Sequence, residues 1–260
     1  PMDIDTTPKK LVAFDLDKTL AKSKSAIEAD MANLLDMLAQ HVYVCVVSGG
    51  KYGQFEVQLL SHLSLETKRR GNFYIAPTSG GSLYRLDGDP IEIYTKKLED
   101  RLILELEYLD HEAAGHAGIV LPEKTYGPIM ENRVSQVTFS PFGQEAPLEV
   151  KADWDTDRKK REAIKSYMLE RLAGFDVDIL IGGGSSIDIV KKGIDKAYVL
   201  DELCKMLSLQ KEDVLYIGDA VFPGGNDYAP KEAGYDCINV ESIEETKKTI
   251  ESILALHVRI

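Results

Sequence analysis

Leu11-Val12-Ala13-Phe14-Asp15-Leu16-Asp17-Lys18-Thr19-Leu20 decides how the rest of the chain is read. The opening apolar run has the length and bounds of a buried strand. It delivers two carboxylates, one residue apart, into what reads as a loop. Asp15 then falls at the carboxyl edge of a sheet, where open α/β folds bind ligands. Working outward, residues 25–39 place Ile27, Met31, Leu34, Leu35 and Leu38 on one helical face. Residues 42–47 form a second apolar strand that ends at Ser48-Gly49-Gly50. A helix with Phe55, Leu59, Leu60 and Leu63 on one side follows, then a third strand over 73–76. This βαβαβ alternation predicts an α/β fold with a doubly wound parallel sheet.

Past residue 80 the pattern changes. Strand signals at 82–86 and 91–94 flank the turn Asp87-Gly88-Asp89-Pro90, a hairpin. An amphipathic helix over 96–113, an alternating strand over 134–139, a charged helix over 157–173 and strands 177–181 and 186–190 around Gly182-Gly183-Gly184 follow. Helices mixed with antiparallel strands predict an α+β unit. From Asp195 the first style returns, with helices over 196–207, 228–233 and 242–256 and strands over 214–217 and 237–240. The expected organisation is a core domain of residues 1–87 and 191–260, interrupted by an inserted domain of residues 88–190. Glycine-bearing hinges are expected near 80–90 and 189–194.

Composition narrows the partners. With 31 basic and 43 acidic residues the net charge is −12, which argues against tracking a nucleic-acid backbone. An anionic small substrate stays open, because a local pocket or a metal ion can supply positive charge. Cys45, Cys204 and Cys237 sit far apart in apolar runs and read as reduced core residues. Apolar runs are strand-length, so no membrane span is expected. Met2-Asp3-Ile4-Asp5 is unlike a signal peptide, and the protein is expected in the cytoplasm.

Four segments of the core carry chemistry. In Asp15-Leu16-Asp17-Lys18-Thr19 one carboxylate can attack phosphorus and become an aspartyl phosphate. The other, Asp17, can serve as acid to the leaving group and base to the acceptor. A solvated acidic turn is the plainer alternative for these residues taken alone. Ser48 with the backbone N–H groups after it can cradle a phosphate, although Ser-Gly also suits a strand-to-helix turn on geometry alone. Asp195 reads as a helix N-cap and puts Lys196 in the first turn, where a cation opposes the helix dipole unless it faces an anion. Gly218-Asp219 ends a strand, and the turn through Pro223-Gly224-Gly225 presents Asn226 and Asp227. Carboxylates so placed suit Mg²⁺.

Taken in order, these four segments resemble the haloacid dehalogenase superfamily, and an insert between Ser48 and Lys196 resembles its C2 cap group. The resemblance covers essentially the whole chain. It implies a Rossmann-like core with an α+β cap, Asp15 as nucleophile, Asp17 as acid/base, and Ser48 and Lys196 as phosphoryl clamps. It implies Mg²⁺ held by Asp15, Asp219 and the Asp17 backbone carbonyl, with Asp227 beside them. Within the superfamily, Arg133 to Gln144 with Ser140-Pro141-Phe142-Gly143 is similar to the cap segment of eukaryotic-type phosphomannomutases. Gly182-Gly183-Gly184-Ser185-Ser186-Ile187-Asp188 and Pro223-Gly224-Gly225-Asn226-Asp227 are similar to further segments of that family. By position, Arg133, Ser186 and Asp188 match residues that hold the distal phosphate or the sugar, and Asn226 joins them as a substrate residue. Two family arginines have no counterpart: one falls on Gln144, the other near Lys151.

The resemblance implies exchange of a phosphoryl group between mannose 6-phosphate and mannose 1-phosphate, with a sugar bisphosphate activator and a homodimer joined through the caps. A sugar-phosphate phosphatase of the same superfamily is the alternative, because water can also discharge the aspartyl phosphate. A mutase must hold a second phosphate, and the missing guanidinium at Gln144 removes a bidentate donor for it. A non-catalytic phosphosugar-binding module would lack the nucleophile or a metal carboxylate, and neither is lacking. Lys18 stands where relatives often carry glycine, and the sequence offers no reason for it.

Overall fold

The computed structural model describes residues 8–257. In chain order it has β1 (Leu11–Asp15), α1 (Ala29–Leu38), β2 (Tyr43–Val47), α2 (Tyr52–Gln58), α3 (Leu65–Arg69), β3 (Phe73–Ala76), β4 (Ser82–Asp87) and β5 (Asp89–Thr95). Next come α4 (Asp100–His116), β6 (Met130–Asn132), β7 (Gln136–Phe139), α5 (Leu148–Lys151), α6 (Lys159–Arg171), β8 (Val177–Gly182) and β9 (Ser186–Lys191). The chain continues through α7 (Lys196–Leu207), β10 (Val214–Gly218), α8 (Tyr228–Glu232), β11 (Asp236–Asn239) and α9 (Ile243–His257). It divides into two compact units, one of residues to Tyr94 and from Asp195, the other from Thr95 to Ile194.

The first unit is built on a seven-stranded sheet in the order β11-β10-β1-β2-β3-β4-β5. β11, β10, β1, β2 and β3 run parallel, and β4 turns back antiparallel to β3. Strand alternation sends neighbouring residues to opposite faces, and both faces are covered. Val12, Phe14, Val44, Val46 and Ile217 pack with Leu35 of α1, Phe55 of α2 and Ile250 of α9. Leu11, Ala13, Cys45, Val47 and Tyr216 pack on the other side with Val199, Leu200 and Leu203 of α7. That is why these strands read as continuous apolar runs. The sheet order reverses direction between β1 and β10, the switch point at which doubly wound sheets bind ligands. Asp15 ends β1 there, and Asp219 follows the last residue of β10.

β5 belongs to this sheet, so the expected boundary at residues 87 and 88 falls seven residues early. The hairpin broke the βα rhythm and looked like the start of the insert. It adds an antiparallel edge to a parallel sheet instead, a common mixed arrangement. The return crossing lies between Ile194 and Asp195 rather than at 190 and 191. The expected hinge segment 80–90 therefore lies within the first unit.

The second unit is an antiparallel sheet in the order β6-β7-β9-β8 with α4 and α6 on one face. Val137, Phe139, Ile179, Ile187 and Ile189 point to the helices and bury against Leu102, Leu106, Ile164 and Met168. Residues of opposite parity, including Gln136, Thr138, Ser186 and Asp188, occupy the other face. A short strand, β6, and a one-turn helix, α5, carry no apolar period and escaped the sequence reading.

Candidate active site

The loop after β1 winds about one carbonyl. Leu16 O accepts from Thr19 N (3.3 Å), Leu20 N (2.9 Å) and Ala21 N (3.2 Å), and Lys18 N donates to Ala21 O. This curl requires Lys18 at φ +63°, the left-handed region. A glycine takes that conformation freely, whereas a residue with a β-carbon takes it at a cost. Lys18 is held there against its preference. Leu16 and Leu20, both buried, pin the curl to the core, and the Thr19 hydroxyl lies 3.4 Å from Asp15 Oδ2.

Asp15 is buried, and its Oδ1 accepts from Lys196 Nζ at 2.7 Å. The same ammonium donates to Asp227 Oδ1 at 2.7 Å. Lys196 is the first residue of α7, and Asp195 caps that helix by accepting from Tyr198 N at 2.9 Å. The cation that opposes the helix dipole faces two anions. Burial pushes the Asp15 carboxyl well above the usual carboxylate range; Lys196 pulls it back, and the charges of Asp227 and Asp219 push with burial. Burial would lower the Lys196 ammonium, but its two carboxylates outweigh that and raise it, so it stays charged.

Asp227 is fully buried and committed. Besides Lys196, its Oδ1 accepts from the Tyr216 hydroxyl, and its Oδ2 accepts from Ala220 N at 3.0 Å. Burial and the Asp227 charge hold the Tyr216 phenol well above its ordinary value, which keeps it a donor. Gly218 is required for this arrangement: a β-carbon there would lie 2.5 Å from the Asp227 carboxyl carbon. Asp15, Asp219 and Asp227 bring one oxygen each within 4.8 Å of one another, a donor set that suits a hard divalent cation. Burial raises the Asp219 carboxyl too, with Asp227 adding to it and Lys196, Asp15 and Lys18 drawing it back.

Asp17 gives no side-chain atom to this cluster. Its Oδ1 accepts from Lys24 N and from Gln58 Nε2, both at 3.0 Å. Gln58 also donates to Ser25 O at 2.8 Å, so the end of α2 fixes the Asp17 side chain. Ser48, buried after β2, accepts from Gly50 N at 3.2 Å through its hydroxyl and from Ser79 N at 2.9 Å through its carbonyl. Asn226 is exposed on the loop before Asp227.

Beneath Ser48 lies a turn that local reading missed. Thr78, Ser79 and Gly80 all take positive φ, at 54°, 58° and 93°, and all three are buried. Thr78 N donates to Gly50 O at 2.9 Å. A β-carbon on Gly80 would meet Val199 Cγ2 at 2.4 Å and Asp195 O at 3.0 Å, and Tyr94 Oη donates to Gly80 O at 2.9 Å. One strained turn thus supports both Ser48 and the start of the Lys196 helix.

In the second unit Arg133 is bonded to Gln144, and Asp188 lies on the polar face of the sheet with Gln136 and Thr138. Arg133 Nε donates to Glu131 Oε1 at 2.6 Å and its Nη2 to Gln144 Oε1 at 3.2 Å. Gln144 donates in turn to Thr138 O and Ile129 O. A second arginine at 144 would set like charges together; the glutamine oxygen accepts instead. Asp188, opposite Thr138, accepts from its hydroxyl at 2.8 Å and from Gln136 Nε2 at 3.1 Å. Ser186 lies two residues before it on the same strand, and Lys151 is buried in α5. Arg161, read as part of a charged helix, is fully buried. It pairs with Asp155 at 2.7 Å and donates to Gly182 O and Gly183 O at 3.0 Å, which fixes the turn before Ser186.

A doubly wound core with an aspartate pair after β1, a lysine at the start of α7 and two carboxylates after β10 defines a haloacid dehalogenase-type fold. Solved structures agree on the fold: an IMP-bound IMP-nucleotidase of Plasmodium falciparum matches 95% of this chain and 68% of its own at TM-score 0.72 and 16% identity. A haloacid dehalogenase-like hydrolase from Bacteroides thetaiotaomicron matches 94% and 99% at TM-score 0.61 and 19% identity. The sequence profile described as Eukaryotic phosphomannomutase matches residues 31–256, and the chain belongs to that family. Curated relatives include a phosphomannomutase of Encephalitozoon cuniculi, 30% identical over 85% of this chain and 83% of its own. A probable phosphomannomutase of Caenorhabditis elegans is 24% identical over 97% and 98%.

Proposed function

We propose that the protein is a phosphomannomutase that moves a phosphoryl group between the 6- and 1-hydroxyls of mannose through Asp15. The observation that carries this is the Asp15 carboxylate at the sheet switch point, bonded to Lys196 beside Asp219 and Asp227. An Asp15 oxygen attacks one phosphorus of the sugar 1,6-bisphosphate, the bond from that phosphorus to the sugar oxygen breaks, and Asp17 gives that oxygen its proton, leaving a monophosphate. In the return step Asp17 takes the proton of the free hydroxyl of a mannose monophosphate, which attacks the aspartyl phosphate, forms the bisphosphate and frees Asp15. Gln58 and the Lys24 amide hold Asp17 in place for both transfers. Lys196 and Ser48 steady the phosphoryl oxygens. Mg²⁺ is the cofactor of this reading; Asp15 and Asp219 with the Asp17 carbonyl would hold it, and it would supply charge neutralisation at the transferred group. Asp227, tied to three donors, sets Lys196 rather than serving as the principal ligand.

The activator is a sugar 1,6-bisphosphate; Arg133, Lys151, Ser186 and Asp188 of the second unit are assigned to the sugar and its second phosphate, and Asn226 of the first unit is assigned to substrate binding. The enzyme works in the cytoplasm as a homodimer. Purified protein given mannose 1-phosphate, Mg²⁺ and catalytic sugar 1,6-bisphosphate should form mannose 6-phosphate faster than free phosphate. Free phosphate as the sole product would instead assign a phosphatase.

A further inference from the structure

Lys18 is costly as a backbone choice and unused as a side chain. It adopts φ +63° between Asp17 and Thr19, its side chain is exposed, and no described residue pairs with its ammonium. Residues held in sparsely populated backbone regions at a site suggest a function that outweighs the strain. Charge supplies one. With all groups ionised, the cluster of Asp15, Asp219 and Asp227 against Lys196 leaves two negative charges. A divalent cation cancels them, and an entering phosphate dianion brings two back. Lys196 already spans two carboxylates at 2.7 Å, so the phosphoryl oxygens it steadies share its charge with Asp15 and Asp227. Lys18 lies in the same curl as the nucleophile, directly before Thr19, whose hydroxyl is 3.4 Å from Asp15 Oδ2.

We propose that Lys18 is a substrate-binding residue whose ammonium meets the phosphate dianion brought to Asp15. This rests on the phosphoryl-transfer reading of the site. The long side chain is free to swing because the curl fixes only its backbone. Lys18→Gln removes the charge and keeps the β-carbon; Lys18→Arg keeps both; Lys18→Gly removes both and relieves the backbone.

The test is calorimetric titration of inorganic phosphate into wild type and the three variants in Mg²⁺, at low and high salt, with melting temperatures alongside. Lys18→Gln and Lys18→Gly should bind phosphate about tenfold more weakly, and Lys18→Arg within about threefold of wild type. The difference should shrink at high salt. Lys18→Gly should melt no lower than wild type. Mg²⁺ titrated alone should bind Lys18→Gln about twofold more tightly, because a nearby like charge is gone. Unchanged phosphate binding in Lys18→Gln, equal weakening in Lys18→Arg, or no phosphate binding by wild type would each overturn the assignment. A wild type that binds phosphate with this dependence yet turns over no mannose phosphate would overturn the mutase reading and leave Lys18 as assigned.

Discussion

Asp15 carries two opposed burdens. It must be ionised to attack phosphorus, yet burial and two neighbouring carboxylates favour its protonated form. Because its folded pKa lies above the unfolded one, its contribution to stability is fully present below the ordinary carboxylate range and is lost as pH rises. Asp15→Asn should therefore melt higher than wild type at neutral pH without divalent cation, and the gap should close in acid below the ordinary Asp range. Thermal denaturation across pH checks this; a lower melting temperature at neutral pH would show that the Lys196 bond outweighs burial. The same variant should lose both transfer and hydrolysis while staying folded. For wild type, the acid limb of kcat/KM should sit above the ordinary carboxylate range and move to lower pH as Mg²⁺ is raised, since a bound cation favours the ionised form.

Individual residues also mark the limit of reading a sequence. Asp15, Ser48, Lys196 and Asp219 stood out because each follows an apolar strand or opens a helix, and those are local signals. Gln58 on Asp17, Tyr216 on Asp227 and Arg161 on Asp155 did not. Gln58 is 41 positions from the aspartate it serves, and Tyr216 looks like any inward residue of a buried strand. Lys18 is conspicuous in the sequence, and its left-handed φ, which no local signal predicts, makes it costlier still.

At the level of elements, two turns do unusual work. Thr78-Ser79-Gly80 keeps three consecutive residues at positive φ so that Ser48 and the start of α7 share one support. Ser79→Gly should be tolerated, since glycine takes the same conformation. Gly80→Ala should weaken both stability and activity, because its β-carbon has no room against Val199 and Asp195. Urea denaturation and kcat for the two variants check this, and equal behaviour would remove the turn from the account. In the second unit, Arg161→Met leaves the buried Asp155 carboxylate without its cation, held only by the Lys160 and Arg161 backbone N–H groups, and takes a donor from two glycine carbonyls. A loss of about 3–5 kcal/mol is expected for breaking one side of a buried pair, read from denaturant unfolding. A change below about 1 kcal/mol would mean that solvent reaches the pair.

At the scale of the whole chain, each unit has its own core: two apolar layers about the seven-stranded sheet, and one between the four-stranded sheet and α4 and α6. The alternation of elements predicts two units, while strand β5 and residues 191–194 fall on the other side of the expected boundaries. The exposed Ile91 of β5 and its turn at Gly88 gave no sign of which sheet it joins. Calorimetry should resolve two unfolding transitions, and Mg²⁺ with phosphate should raise only one, because a ligand stabilises the unit that binds it. A single transition that moves as a whole would show that the units unfold together.

The central claim is that Asp15 receives the phosphoryl group. Wild-type protein mixed with sugar 1,6-bisphosphate and Mg²⁺, quenched in acid and digested, should carry one phosphoryl group on the peptide containing residues 11–20, localised to Asp15 and absent in Asp15→Asn. A phosphoryl group on another residue, or steady turnover with none on Asp15, would contradict it.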